Sequence, residues 1–278
     1  ITNISLTPNG DVLAATDQGI NCINMTGNKK IITLTGPGKG LPDYIVTALV
    51  PGGNNQFWVG MQDKGFCLLD LNNQSISIPT TTTDWKYGQV NDLLYIHDQL
   101  WIATQDNGLL KYKVGSGKIQ QIPITLTGSI INELLNDNQG NTWLVSSIDG
   151  LIRSPGETLK LLPIPSAPAF EHIHAILSDH QGNTWLNNQA NEIIRITQQD
   201  GISTEKIIRL PGVTEKTDVT SLYQDLYGNI WVGTMGKGIF IIDPKSFQYR
   251  AFTENTLFKD AGIFFIHGNQ HTIYFSSL

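Results

Sequence analysis

Val219-Thr-Ser-Leu-Tyr-Gln-Asp225-Leu-Tyr-Gly228-Asn-Ile-Trp231-Val-Gly-Thr234-Met-Gly-Lys-Gly238-Ile-Phe-Ile-Ile-Asp243 alternates short apolar runs with turn residues. The runs are rich in β-branched and aromatic side chains and are bounded by Gly, Asn and Asp, which is how strands read. Asp225 can accept turn amide hydrogens, and Gly228 and Asn229 tolerate positive φ, so the first break is hairpin chemistry. Gly238 supplies the same freedom at the second break. A fourth run, Phe247-Gln-Tyr-Arg-Ala-Phe252, follows. No segment shows the i, i+3, i+4, i+7 spacing of an amphipathic helix.

Working outward, the same phrase recurs as Gly140-Asn-Thr-Trp143 and Gly182-Asn-Thr-Trp185, and more loosely as Asn55-Gln-Phe-Trp58 and Asp98-Gln-Leu-Trp101. Leu13 and Tyr274 occupy the slot near the two ends, and successive slots lie 42 to 46 residues apart. Four short strands per period make a propeller blade, whereas a helical repeat of that length would not tolerate so much Gly and Asn. The innermost strand A of each blade is expected near Ile1, Val46, Val90, Ile131, Ile173, Val219 and Ile263. Asp137, Asp179 and Asp225, with Gly140, Gly182 and Gly228, are read as structural residues of the A–B turns. Trp58, Trp101, Trp143, Trp185 and Trp231 are read as structural filling between blades. The B–C turns are Asp17-Gln-Gly19, Asp63-Lys-Gly65, Asp106-Asn-Gly108 and Asp149-Gly150; blade five departs, with Gln189-Ala-Asn-Glu192 and no Gly. The expectation is all-β: a seven-bladed β-propeller of four-stranded blades, one domain over 1–278, its last blade incomplete after strand B. Residues of a larger chain would then close it.

Composition narrows the function classes. With 18 Lys+Arg against 24 Asp+Glu, the net charge is -6, which argues against a nucleic-acid surface. At 40% hydrophobic the chain can bury a core. No apolar run approaches the ~18 residues of a membrane span, so no membrane contact by this segment is expected. Cys22 and Cys67 form neither a disulfide framework nor a metal spacing. The charged share, 15%, is well below the ~25% usual in soluble chains.

The phrase Val-x-x-Leu-x-x-Asp-x-x-Gly-Asn-x-Trp-Val-Gly-Thr-x-x-x-Gly resembles the two-component regulator propeller repeat, and Gly40-Leu-Pro-Asp-Tyr-Ile-Val46 resembles the lead-in to strand A in that family. The resemblance spans essentially the whole chain, best in blade six and least in blades one and seven. It implies the periplasmic sensor region of a hybrid two-component histidine kinase anchored in the inner membrane. It further implies a response to glycan fragments, tandem propellers, an immunoglobulin-like neighbour domain and kinase modules elsewhere in the chain. A homodimer is a further expected partner arrangement. No cofactor and no catalytic residue are assigned.

The resemblance leaves the ligand site open. A propeller gathers its D–A connections and B–C turns on one face. Sugars present CH faces and hydroxyls, which suit an aromatic platform with polar neighbours. Tyr44, Asp84, Trp85, Tyr87, Phe170, Glu171 and His172 are the candidates, Trp85 being the one tryptophan outside the repeat slot. The competing reading is that Trp85 caps a hydrophobic rim or meets a partner domain.

The same residues admit enzymatic alternatives. The Asp-box of sialidase-type propellers differs, because Asp137 precedes Gly140 by three residues and Trp143 by six. Streptogramin lyase-type propellers share Asp-x-x-Gly-Asn-x-Trp, and Asn183-Thr-Trp-Leu-Asn-Asn with Glu192 is similar to that pattern. His172 and His174 would share a strand face there, but no second blade supplies a matching His, and no metal site is assigned. His97, His180, His267 and His271 fall in or beside turns and are expected in solvent. Gly36-Pro-Gly-Lys-Gly40 lacks the spacing of a phosphate loop and reads as a connection. No Gly-x-Ser-x-Gly elbow accompanies Ser146-Ser147.

Overall fold

A computed structural model describes residues 1–24, 31–35, 40–122, 130–138, 140–146, 150–155, 160–161, 173–188, 190–199, 202–214, 216–253, 256–269 and 272–277. Among them the chain forms consecutive antiparallel meanders. The first is β1 (Asn3–Leu6), β2 (Val12–Thr16), β3 (Gly19–Ile23) and β4 (Ile31–Thr35). The second is β5 (Val46–Gly53), β6 (Gln56–Met61), β7 (Phe66–Asp70) and β8 (Ser75–Ser77). The third is β9 (Val90–Ile96), β10 (Gln99–Thr104), β11 (Leu109–Lys113) and β12 (Lys118–Gln121). The fourth is β13 (Glu133–Asn136), β14 (Asn141–Ser146), β15 (Gly150–Pro155) and β16 (Lys160–Leu161). The fifth is β17 (Ile176–Ser178), β18 (Thr184–Asn187), β19 (Ile193–Gln199) and β20 (Ile202–Ile208). The sixth is β21 (Val219–Gln224), β22 (Ile230–Thr234), β23 (Ile239–Ile242) and β24 (Tyr249–Ala251). Last come β25 (Ile263–Gly268) and β26 (Ile273–Ser277).

There are thus six four-stranded blades rather than seven, and a two-stranded sheet, β25-β26, stands in the seventh position. The strand starts at Val46, Val90, Val219 and Ile263 are as read from the sequence. Those of blades one, four and five begin two or three residues later than Ile1, Ile131 and Ile173. Two of these delays have a visible cause. The Ile131 amide donates to the Thr104 carbonyl of the preceding blade. The His174 and Ala175 amides both donate to the Asn187 side-chain oxygen, each at 3.0 Å. Backbone groups satisfied in these ways do not extend their own ladder.

The chain divides into two compact units, Ile1–Leu134 and Leu135–Leu278, the boundary falling within β13. In the first unit the blades stack through two apolar seams. Leu13 packs with Leu49, Phe57 and Val59, and Trp58 packs with Val90, Leu93, Leu100 and Tyr112. In the second unit Trp143 packs with Ile173, Ile176 and Leu186, Trp185 with Val219, Val232 and Phe240, and Trp231 with Ile263 and Ile266. In each of these seams the strand B slot residue faces the following blade. A large buried side chain there is worth roughly 1.5–3 kcal/mol of burial.

The innermost strands are also laced by polar side chains with the period of the repeat. Thr2 Oγ1 donates to the Val46 carbonyl at 2.5 Å, Asn91 Nδ2 to the Ile131 carbonyl at 2.9 Å, and Thr220 Oγ1 to the Ile263 carbonyl. One position further on, Asp92 Oδ2 accepts the Leu134 amide at 2.8 Å and Ser221 Oγ accepts the Ile266 amide at 3.0 Å. Thr2 just ahead of β1, and the second and third residues of β9 and β21, thus tether the next strand A.

Candidate functional site

The A–B turns show why Asp, Gly, Asn and Trp recur at their spacing. Asp179 Oδ1 accepts the Asn183 amide at 2.8 Å, and Oδ2 accepts Asn183 Nδ2 and Trp185 Nε1, both at 2.8 Å. Asp137 repeats the set with Asn141 and Trp143, and Asp225 with Asn229 and Trp231. Gly140, Gly182 and Gly228 take positive φ. Each carboxylate is buried and spent on its own turn. The shorter A–B turns use left-handed Asn54-Asn55 and His97-Asp98 instead.

At the opposite ends of strands B and C, each described D–A connection touches the neighbouring B–C turns. In the first unit Asp43 Oδ2 accepts the Asp63 amide at 2.8 Å, and the Ile45 and Gln89 carbonyls accept the Gln62 and Gln105 amides. Tyr44 beside it is 50% exposed. The connection after β8 lays Trp85 over the second blade's turn: a Cβ built on Gly65 would stand 2.6 Å from the indole. Trp85 meets Phe66 edge-on at 5.9 Å and Tyr87 at 5.1 Å, and its Nε1 donates to the Gly88 carbonyl at 2.7 Å. Trp85 and Tyr87 are half-buried, whereas Asp84 and Lys86 are exposed. Gly88 in turn lies against Asp106 of the third blade's turn.

Phe170, Glu171 and His172 lie outside the described residues, as do Gly36–Lys39, Ser147, Asp149, Gln189 and His271. His174, His97 and His180 are exposed. His267 is not in solvent as expected: it stacks near Phe265 and Tyr223, and burial lowers its pKa. Phe265 of the same strand and Tyr223 of the previous blade flank it. Cys22 and Cys67 are free thiols, and burial pushes Cys67 up to about 12. Among the described residues no cluster of three or more His, Cys, Asp or Glu could hold a metal ion.

The departure in blade five builds a polar network that the sequence signalled only as a missing Gly. Elsewhere Thr104 and Thr234 Oγ1 donate to the Gly108 and Gly238 carbonyls and accept the Asn107 and Lys237 amides. Here Asn188 takes the Thr slot and Glu192 the Gly slot. Asn188 Oδ1 accepts the Glu192 amide, and its Nδ2 donates to Glu192 Oε2 at 2.8 Å. Asn191 adopts the left-handed backbone instead, φ 56°. Its side chain accepts the Val219 amide at 3.0 Å and donates to the Thr214 carbonyl at 3.1 Å.

No protein-family description and no curated protein matches the chain. Solved structures do. The extracellular domain of one hybrid two-component system of B. thetaiotaomicron superposes with TM-score 0.81 at 17% identity, covering 99% of this chain and 39% of that one. That of a second such system gives 0.75 at 16%, covering 99% and 38%. A catalytically inactive virginiamycin B lyase from Staphylococcus aureus, with quinupristin, gives 0.76 at 18%, covering 99% and 90%. The likeness establishes an all-β propeller fold of the kind used by these sensor regions. The chain spans under two-fifths of the sensor chains it matches. Among the described residues no helix is long and apolar enough to cross a membrane.

Proposed function

We propose that this chain is a ligand-sensing or signal-relaying propeller of a hybrid two-component sensor anchored in the inner membrane. In this reading it faces the periplasm and responds to glycan fragments without catalysing a reaction. The observation that carries the reading is the connection between β8 and β9. It packs Trp85 on one blade's turn and Gly88 on the next, so a ligand touching this rim bears on two blades at once. The fold shared with extracellular domains of such systems supports it. A sugar would rest its CH face against the free edge of the Trp85–Tyr87 pair, with Asp84 and Tyr44 offering hydrogen-bonding partners. A neighbouring propeller or immunoglobulin-like domain, or a second copy of the chain, would receive the signal.

The test is titration of the protein against a panel of oligosaccharides. Asp84 is exposed, so Asp84→Ala should weaken binding several-fold while leaving the melting temperature unchanged. Trp85→Phe keeps the packing ring but loses the Gly88 hydrogen bond and part of the platform, and should weaken it further. Titration curves unchanged in both variants would remove this rim as the glycan site.

A further inference from the structure

Blade five differs from its neighbours at one slot, and the difference opens space. In blades two and six that slot is Gly65 and Gly238, and the following D–A connection lies directly on it. A Cβ there would meet the Trp85 ring at 2.6 Å or the Phe258 carbonyl at 2.2 Å. In blade five the slot is Glu192, whose side chain occupies the place where the connection would otherwise rest. Between this turn and the connection 209–214 lies a cavity of about 280 Å³, lined by Ala190, Asn191, Glu192, Arg209, Leu210, Val213 and Thr214.

The cavity has a defined polarity. Arg209 Nε donates to Glu192 Oε1 at 2.5 Å, and the Glu192 side chain is only 18% exposed against 76% for Arg209. Arg209 balances the charge of Glu192, Asn188 donates to its other oxygen, and the Nε contact orients the guanidinium. The two terminal nitrogens of Arg209 have no partner among the described residues. A second cation approaches from the sixth blade: Lys237 runs along Gly212, its Cε 3.6 Å and Nζ 3.9 Å from where a Cβ would stand. Leu210 and Val213 supply apolar wall. A guanidinium oriented through Nε presents its remaining N–H groups as a fork that matches a carboxylate.

We propose that this cavity binds a small organic acid, its carboxylate on Arg209 with Lys237 nearby and its carbon skeleton against Leu210 and Val213. The volume is at the low end for ligand pockets, which suits a molecule of about a monosaccharide's size. The site goes beyond the proposed function. It lies in the second unit, away from Trp85 in the chain, and its binding is read directly rather than through a glycan response.

Isothermal titration calorimetry with D-glucuronate, valerate and glucose at equal ionic strength tests it. Saturable binding of glucuronate alone identifies a sugar acid, and of valerate alone a non-sugar acid; glucose should bind more weakly than the acid. Arg209→Ala should weaken the acid at least about tenfold, the loss of a charge-assisted forked contact. Its melting temperature should fall somewhat, because the largely buried Glu192 carboxylate loses its ion-pair partner, so binding of the variant and the parent is compared well below both unfolding transitions. Lys237→Ala should weaken binding a few-fold and flatten its salt dependence. Binding of neither acid up to about 10 mM, a free energy of under ~3 kcal/mol, would overturn the proposal. Equal binding of glucose, or acid binding that Arg209→Ala leaves intact, would do so as well.

Discussion

At the scale of single residues, the repeated Asp is the most heavily committed polar group of the turn. Asp179 is 1% exposed and accepts four hydrogen bonds, from the Gln181 and Asn183 amides, Asn183 Nδ2 and Trp185 Nε1. Removing it leaves buried donors without partners, which costs more than the bonds themselves contribute. Asp179→Ala should therefore lower the unfolding free energy by about 2–4 kcal/mol. Trp185→Phe keeps an aromatic ring in the seam but removes one donor and some packed volume, and should cost about half as much, ~1–2 kcal/mol. Denaturant midpoints at constant m-value measure both. A cost under ~0.5 kcal/mol for Asp179→Ala, the range of an ordinary surface change, would show that water replaces the carboxylate.

At the scale of elements, the turn glycines divide into two kinds. Gly65 of a B–C turn and Gly140 of an A–B turn both have positive φ, +69° and +78°, so a side chain at either is strained. Around Gly140 nothing lies within 4 Å of an added Cβ, whereas at Gly65 the Trp85 ring stands at 2.6 Å. Gly140→Ala should cost about 1–2 kcal/mol, the left-handed backbone alone. Gly65→Ala should cost about 1–3 kcal/mol more through displacement of the indole. Thermal melts of the two variants, with Trp85 fluorescence in the second, separate backbone strain from lost packing. The turns themselves were legible, because Asp, Asn and Gly at fixed offsets specify hairpins locally. What lies on them was not. Trp85 stands outside the repeat slot, and nothing local says that its ring packs on a turn twenty residues earlier. The Glu192 slot announced itself only as a missing Gly; that Asn191 takes over the left-handed backbone and Arg209 folds back to Glu192 depends on contacts between elements.

At the scale of the whole molecule, the low charge accords with an architecture of short strands with apolar buried faces joined by Asn/Gly turns. The period of the Trp slot was enough to read the strand order and, within each compact unit, the seams, because there the strand B slot residue packs on the following blade. The polar lacing of the inner strands was not legible, as its donors and acceptors lie some forty residues apart. One member of that lacing gives the stability of the fold a pH dependence. Desolvation among the inner strands pushes Asp92 up to about 7, outweighing the opposing amide bonds from Leu134 and Leu93. An unfolded Asp ionises near ~3.9, so between about pH 4 and 7 the folded chain holds a proton that the unfolded chain has lost. The contribution of Asp92 is then fully present below pH 4 and is lost as pH rises through 7, at up to ~1.4 kcal/mol per unit. Asp70 and Asp243 act the other way and lower down. The Gln56 side chain holds the first below the usual carboxylate value, and the Lys245 amide holds the second, so their contributions fade as pH falls below about 4. Asp92→Ala strands two amides and lowers stability at every pH, but that offset is constant. The difference in unfolding free energy between the parent and Asp92→Ala should shrink steadily from pH 4 to pH 7. Parallel curves across that window would mean that Asp92 is ionised in the folded chain throughout, with water reaching the inner strands.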